Sequence, residues 1–219
     1  MTKLFADITM SLDGFVAGPD PSLEDPLGKG GMALHEWAFR LKQWREPHGM
    51  EGGEEDVHGD GEVVAESLAK IGAVVMGRRM FSGGAGPWEH DPNARGWRGD
   101  DPPYHVPVFV LTSHAREPLE MQGDTTFTFV TDGIESALEQ ARSVAGGKDV
   151  LVAGGASAVQ QYLNAGLLDE LQIHVPPVLL GSGTRLLEGV DTGAIELRPT
   201  RVLSSSYVTH LKYEIVRDA

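Results

Sequence analysis

The stretch 149-DVLVAGGASAVQQYLNAG-166 runs four apolar residues, Val150 to Ala153, straight into Gly154-Gly155 and then into a helical pattern with no polar cap. Glycine tolerates backbone angles that other residues avoid and lets another backbone or a ligand come close, but each one costs conformational entropy. A pair at a strand-to-helix junction therefore asks for a reason. One reading is a tight turn that lets Ala156 and Ala158 pack their helix near a sheet. The other is a phosphate seat, because the free N–H groups and positive dipole end of a helix bind anions. The pair alone leaves both open.

Working outward, Lys3 to Met10 alternates as a strand does and ends at the turn-rich 11-SLDGFVAGPDP-21, which reads as a mobile loop. Residues 19–31 are rich in glycine, proline and acids, and 32-MALHEWAFRLKQW-44 has apolar residues at helical spacing. The charged stretch 45–61 reads as a solvated loop. A helix over Glu62 to Ile71 leads into the short strand 73-AVVM-76, and residues 83–107 form a loop long enough for a lid or substrate wall. Strands at 108-VFVLT-112 and 126-TFTFV-130 precede a helix from Ile134 to Val144. After the glycine-pair unit, 167-LLDELQIHVPPVLL-180 begins another strand, and 196-ELRPTRVLSSSYVTHLKYEIV-216 reads as two adjoining strands. Strands alternating with helices predict one α/β domain over residues 1–219, its sheet mostly parallel and closed by antiparallel C-terminal strands.

Composition narrows the function. With a formal net charge of −14 over 219 residues, the chain lacks the basic face that nucleic acids and anionic membranes require. The absence of cysteine removes disulfides, thiolate catalysis and cysteine-ligated metals. No apolar run approaches membrane-spanning length, and 1-MTKLFADITMSLDGF-15 reads as a strand and not a signal peptide. A cytoplasmic enzyme or binding protein fits this profile. His48, His58, His90 and His105 lie in polar loops without tight spacing, so no metal site is expected.

In open α/β sheets ligands sit outside the carboxyl ends of the strands. Three such ends are unusual here: 77-GRRMF-81, 113-SHAR-116 and the glycine pair. Arg78, Arg79 and Arg116 concentrate positive charge in a chain with only 18 Lys and Arg, which suits a phosphorylated ligand because the guanidinium fork binds phosphate bidentately. The alternative is that they pair with some of the 32 acidic residues.

Taken in order, 73-AVVMGRRMF-81, 108-VFVLTS-113 and 150-VLVAGGASAVQQYL-163, with 11-SLDGFVAG-18 and 173-IHVPPVLLGSGTRLLE-188, resemble the dihydrofolate reductase-like superfamily. Within it the chain looks closest to stand-alone relatives of the riboflavin-biosynthesis reductase domain, the RibD C-terminal domain. That resemblance implies a dihydrofolate reductase-like fold with a central eight-stranded sheet flanked by helices, an NADPH cofactor, and a homodimer. It places the arginine turn of Gly77, Arg78, Arg79 and Met80 at the adenosine-side phosphates, and Leu111, Thr112 and Ser113 near the 2′-phosphate. Ala153, Gly154, Gly155, Ala156, Ser157 and Ala158 would form the pyrophosphate seat, with a cis peptide joining the glycines, and Val16 and Ala17 would line the cofactor from the first loop. Met80 stands where family members often have threonine.

The implied reaction is hydride transfer from NADPH to a C=N or C=O bond of a small substrate, pterin- or pyrimidine-like heterocycles among the candidates. The proton then comes from Glu36, Asp13 or His35, with Glu36 favoured as a partly buried acid beside Trp37. Each has a plainer role: helix surface for Glu36 and His35, turn shaping for Asp13. One rival is a non-catalytic or regulatory NADP(H)-binding protein. A zinc deaminase, fused to this domain in some relatives, has no Cys-x-x-Cys pair to support it here.

Overall fold

The computed structural model describes residues 2–22, 24–56, 58–84, 86–193 and 195–216. In chain order the elements are β1 (Leu4–Thr9), β2 (Phe15–Ala17), α1 (Glu36–Phe39), α2 (Lys42–Arg45), α3 (Asp60–Ala69), β3 (Ile71–Gly77), α4 (Arg78–Ser82), β4 (Val108–Leu111), β5 (Leu119–Glu120), β6 (Thr126–Val130), α5 (Ile134–Val144), β7 (Asp149–Gly154), α6 (Ala156–Asn164), β8 (Glu170–Val175), β9 (Thr184–Arg185), β10 (Glu196–Ser204) and β11 (Thr209–Val216). Among the described residues, no helix is long and apolar enough to cross a membrane.

The main sheet has the order β10-β11-β8-β1-β7-β3-β4-β6-β5. The strands from β8 to β6 pair in parallel, and β11 and β10 close one side antiparallel. The implied count of eight becomes nine because the two-residue β5 folds back antiparallel on β6. The central strands are buried on both faces, which is why β3 and β4 read as unbroken apolar runs.

One face packs α5 and α6 over Leu4, Ala6, Ala73, Val75, Val150 and Val152. The other carries Phe5, Val74, Met76, Val108 and Val110 against Phe81 of α4 and the 83–107 segment. Next to it Trp37, Ala38 and Leu41 pack on Val64 of α3 and Val208.

Three predicted elements differ. The helix over 32–44 is broken into a 3-10 turn at Gly31–His35 and the two single turns α1 and α2. Its apolar spacing does report a buried face, since Leu34, Trp37, Ala38 and Leu41 are all buried. Leu41, however, is extended, and the chain bridges there to the 45–61 loop, with Glu54 N–H donating to the Arg40 carbonyl at 2.7 Å. Helix α3 begins at Asp60 and not Glu62, because the Asp56 carboxylate accepts the N–H groups of Gly59 at 2.7 Å and Glu62 at 2.9 Å and so organises the first turn. Within 11–21, the expected mobile loop contains β2, which pairs with β9. Gly183, at φ 130°, lies so close under it that a Cβ there would stand 2.1 Å from the Ala17 carbonyl oxygen.

Tyr162 ties α6 to the start of α5: its ring is fully buried and its hydroxyl donates to the Ile134 carbonyl at 2.9 Å. Tyr162→Phe is expected to lower unfolding free energy by about 1 kcal/mol, the net value of one buried hydrogen bond. Urea denaturation checks this; no change in midpoint would mean that the bond does not position α6.

Candidate functional site

Parallel pairing sets three strand ends level. Met76 lies opposite Gly154 and Gly77 opposite Leu111, so the arginine turn, the hydroxyl pair and the glycine pair, far apart in sequence, meet at one edge. The Gly154-Gly155 peptide is cis, as the resemblance implies, and Gly154 has φ 131°. A Cβ on Gly154 would meet the Met80 sulfur at 3.4 Å, whereas one on Gly155 would meet nothing within 4 Å. Space is therefore open beside Gly155, at the start of a nine-residue helix with no side-chain cap. Ala156 and Ala158 are buried against the sheet and Ser157 faces outward. Both meanings of the glycine pair hold together: the turn lets the alanines pack, and it leaves a cradle.

The arginines divide. Arg78 does not point a free guanidinium into the groove. It is buried, pairs with Asp91 at 2.5 Å, donates to Ser82 and lies 3.5 Å over the Trp88 ring. The pairing alternative thus holds for Arg78. Arg116 is likewise held, donating to the Ala94 carbonyl at 2.5 Å and stacking on Trp88 and Phe129. Arg79 is exposed and makes no ion pair among the described residues. Thr112 Oγ1 accepts the His114 N–H at 3.1 Å, and Ser113 is exposed beside it.

Around the end of β1 the proposed acids change role. Asp13 accepts from Ser11 Oγ at 2.6 Å, Leu180 N–H at 3.1 Å and Gly181 N–H at 2.7 Å. The Ser11 bond first, with those backbone bonds, holds its carboxyl down at about 2 against the opposing effect of burial. It is an ionised loop clasp and not a proton donor at neutral pH. Val16 and Ala17 sit on β2 above this clasp. Glu36 is exposed, so the burial that would make it an acid is missing. His35 stacks on Phe39 at 6.0 Å, and burial first, then the charges of Arg98 and His174, pushes its pKa down to about 4. It is neutral at pH 7.

The sequence reading passes over a row of buried polar groups on the α3 side of the sheet. Asp7 of β1 hydrogen-bonds His174 of β8; His174 Nδ1 meets His210 Nδ1 of β11 at 2.6 Å; His210 Nε2 meets Asp60 Oδ1 of α3 at 3.0 Å. Ser67 donates to Asp7, as does Gln172 at 3.0 Å. Sheet register builds the row, since Asp7 lies opposite Gln172 and His174 opposite His210. Trp37 covers both imidazoles, with ring centroids 4.8 and 5.1 Å away. Burial pushes Asp7 up, but His174, by charge and hydrogen bond, together with Ser67 holds it below the ordinary range. The 83–107 segment folds toward this row. Tyr104, stacked on Trp97 at 5.1 Å, feels the Asp7 charge, and Arg98 lies 5.4 Å from the Trp97 ring and 5.9 Å from that of Trp44. His90 and His105, on the same segment, are exposed and stand apart from the row.

This is a dihydrofolate reductase-like fold of the RibD reductase type. The model of the RibD C-terminal domain matches residues 2–211, and the chain belongs to that family. The uncharacterised Bacillus subtilis (strain 168) protein YyaP is 27% identical over 146 residues, 64% of this chain and 73% of that protein. Among solved structures, a protein from Shewanella sp. PV-4 provisionally assigned to riboflavin biosynthesis superposes with a TM-score of 0.63 at 20% identity, covering 99% of this chain and 100% of that one. A diaminohydroxyphosphoribosylaminopyrimidine deaminase/5-amino-6-(5-phosphoribosylamino)uracil reductase from Thermotoga maritima superposes with a TM-score of 0.56 at 13% identity; 98% of this chain covers 57% of that longer protein.

Two outcomes follow from the pairings. Arg78→Ala leaves the Asp91 carboxylate buried without its partner and is expected to cost about 3–5 kcal/mol of stability, while Arg79→Ala stays within about 0.5 kcal/mol. Equal urea midpoints for the two variants would refute the division. For Asp13, the folded pKa lies below the unfolded one, so its contribution is complete above about pH 4 and is lost as pH falls toward about 2. The stability difference between the protein and Asp13→Asn should therefore shrink across that window, measured by urea unfolding at stepped pH.

Proposed function

We propose that this chain is an NADPH-dependent reductase that delivers a hydride to a C=N or C=O bond of a small heterocycle of the pyrimidine or pterin kind. The observation that carries this reading is the open space at Gly155, bounded by the uncapped start of α6 and level with the ends of β3 and β4. A dinucleotide fits that donor set: the glycine backbone admits a pyrophosphate, the first N–H groups of α6 meet its charge, and Arg79 and Ser113 are free for a 2′-phosphate. In a chain of net charge −14, such local donors are what hold an anionic cofactor.

NADPH supplies the hydride when bound. The chain's own residues bind, orient and exclude water. The Asp13 clasp fixes the loop after β1 against Leu180 and Gly181. Trp97, Tyr104 and Arg98 give the substrate side two stacked aromatic faces and one cation, a lining suited to a flat ring with acidic or carbonyl groups.

Calorimetric titration with NADPH and NADH tests the reading. NADPH should bind more tightly; Arg79→Ala should weaken NADPH by about 1–3 kcal/mol, roughly 5- to 150-fold, and NADH less. Gly155→Val should abolish binding with little change in melting temperature, and unchanged affinity in that variant sinks the cradle. NADPH oxidation is then followed with 5-amino-6-(5-phosphoribosylamino)uracil, dihydropterins, and an aldehyde and imine panel. Tight binding with no turnover across that panel would favour the regulatory NADP(H)-binding alternative, which the exposure of Glu36 and the engagement of Asp13 keep in view.

A further inference from the structure

Asp7, His174, His210 and Asp60 form a row with three hydrogen-bonded links, and each link needs one proton. Two neutral imidazoles bring two. With both carboxylates ionised, His174 must donate from Nε2 to Asp7 and His210 from Nε2 to Asp60, so the contact between the two Nδ1 atoms stays unbonded unless a third proton sits there. We propose that this row stores that extra proton on His174, held there by the His210–Asp60 pair, and passes a proton through Asp7 to the candidate substrate; the delivery step rests on the reductase reading.

The surroundings support a charged His174. Burial first, then His174 itself, holds His210 below the ordinary histidine range, which favours His210 as the neutral ring of the pair. Trp37 lies over His174 at 4.8 Å, where an indole face favours a cation. The charged and titratable groups facing the row are Lys70 at the end of α3, which approaches Asp7; His35, whose neutrality is favoured by His174; and Tyr104 from the 83–107 segment. Lys212, two residues after His210 on β11, is held away by Glu170 at 3.1 Å and Glu66 at 3.8 Å.

The two ends of the row differ in exposure. Asp60 is nearly fully buried but lines a cavity of ≈ 50 Å³ together with Trp37, Arg40, Leu41, Glu54, Glu55, Asp56, and exposed His58 and Tyr207. That volume holds one or two waters. Trp37, whose Nε1–H is buried and without a partner among the described residues, is one of the residues lining the same space. At the other end the Asp7 side chain keeps 16% of its surface exposed, the most open member of the row, and its charge is felt by Tyr104. The balance is complete: the hydride and its electron pair reach substrate carbon, and the proton between His174 and Asp7 crosses to the carboxyl and leaves to the substrate heteroatom. His174 keeps its Nδ1 proton on His210, and once product leaves, Asp7 takes a proton from water at its exposed edge and returns one to His174 Nε2. The net reaction consumes one NADPH and one proton from solvent. Asp7 is then the proton donor, and His174, His210 and Asp60 are positioning residues behind it.

The isosteric Asp60→Asn separates storage from mere packing. The amide introduced at that position can donate to His210 Nε2, which lets His210 donate from Nδ1 to His174; every link is then made with both rings neutral. Long-range proton–nitrogen spectra of the ¹⁵N-histidine-labelled protein read the protonation of each ring nitrogen. At about pH 7.5, we expect both nitrogens of His174 and only Nε2 of His210 protonated in the unaltered protein. In Asp60→Asn, His174 should lose its Nδ1 proton about one pH unit or more lower. Two neutral rings in the unaltered protein, or an unshifted His174 midpoint in the variant, overturns the store. Delivery is read with whichever panel substrate is turned over fastest: in Asp60→Asn kcat should fall roughly 10-fold or more at about pH 8 and recover toward lower pH, with KM and NADPH affinity unchanged. An unaltered pH profile overturns delivery. If NADPH does not bind or no panel compound is reduced, the reductase reading and delivery fail together, and the histidine proton count still decides the store.

Discussion

Everything at the candidate site depends on the parallel pairing of β1, β7, β3 and β4. Parallel strands joined by crossovers all end on the same side of a sheet, so the segments after them converge whatever their separation in the chain. Here that puts Gly77, Leu111 and Gly154 shoulder to shoulder. The two-faced burial of these strands fixes their register, because a one-residue slip would exchange the α5–α6 face for the α3–α4 face along the whole strand. The cradle at Gly155 is thus held by the apolar core, and not by contacts of its own.

The same register that builds the apolar faces places a polar row within one of them. Phe5 and Asp7 share a face of β1; Phe5 packs in the core while Asp7, two residues on, meets Gln172 and His174. Buried charge is tolerated only when paired and hydrogen-bonded, and this row meets that condition by borrowing Asp60 and Ser67 from α3. The start of α3 is therefore a requirement of the sheet beneath it. Asp56 sets the first turn, which brings Asp60 to His210.

Much of this was legible in the sequence. Apolar runs ending on glycine or arginine gave the parallel core, and the order of the three motifs gave the family and the cis glycine pair. Misread elements share a cause: the deciding partner lies far along the chain. Arg78 and Arg79 are neighbours of the same type, and only the return of the 83–107 segment, which brings Asp91 to Arg78, tells them apart. Asp13 has the composition of a catalytic acid, yet two N–H groups some 167 residues away make it a clasp. The polar row did leave a trace. Asp7 interrupts 4-LFADIT-9, and Gln172 and His174 alternate with Leu171, Ile173 and Val175, a strand pattern with one polar face in a sheet otherwise buried on both sides. A polar residue centred in a buried strand was the signal to follow.

At the far rim of the sheet, β10 carries exposed Leu197 and Val202 along nine residues that, among the described residues, have a neighbouring strand on one side only. A flat edge of that length and apolarity invites another chain to add itself as a further strand. Pro199 removes one donor, and the irregularity between Pro199 and Arg201 shifts the ladder within the same stretch. An incoming strand would find its pattern of donors and acceptors broken midway. The bend that costs β10 its regularity thus makes this edge a poor template for an added strand.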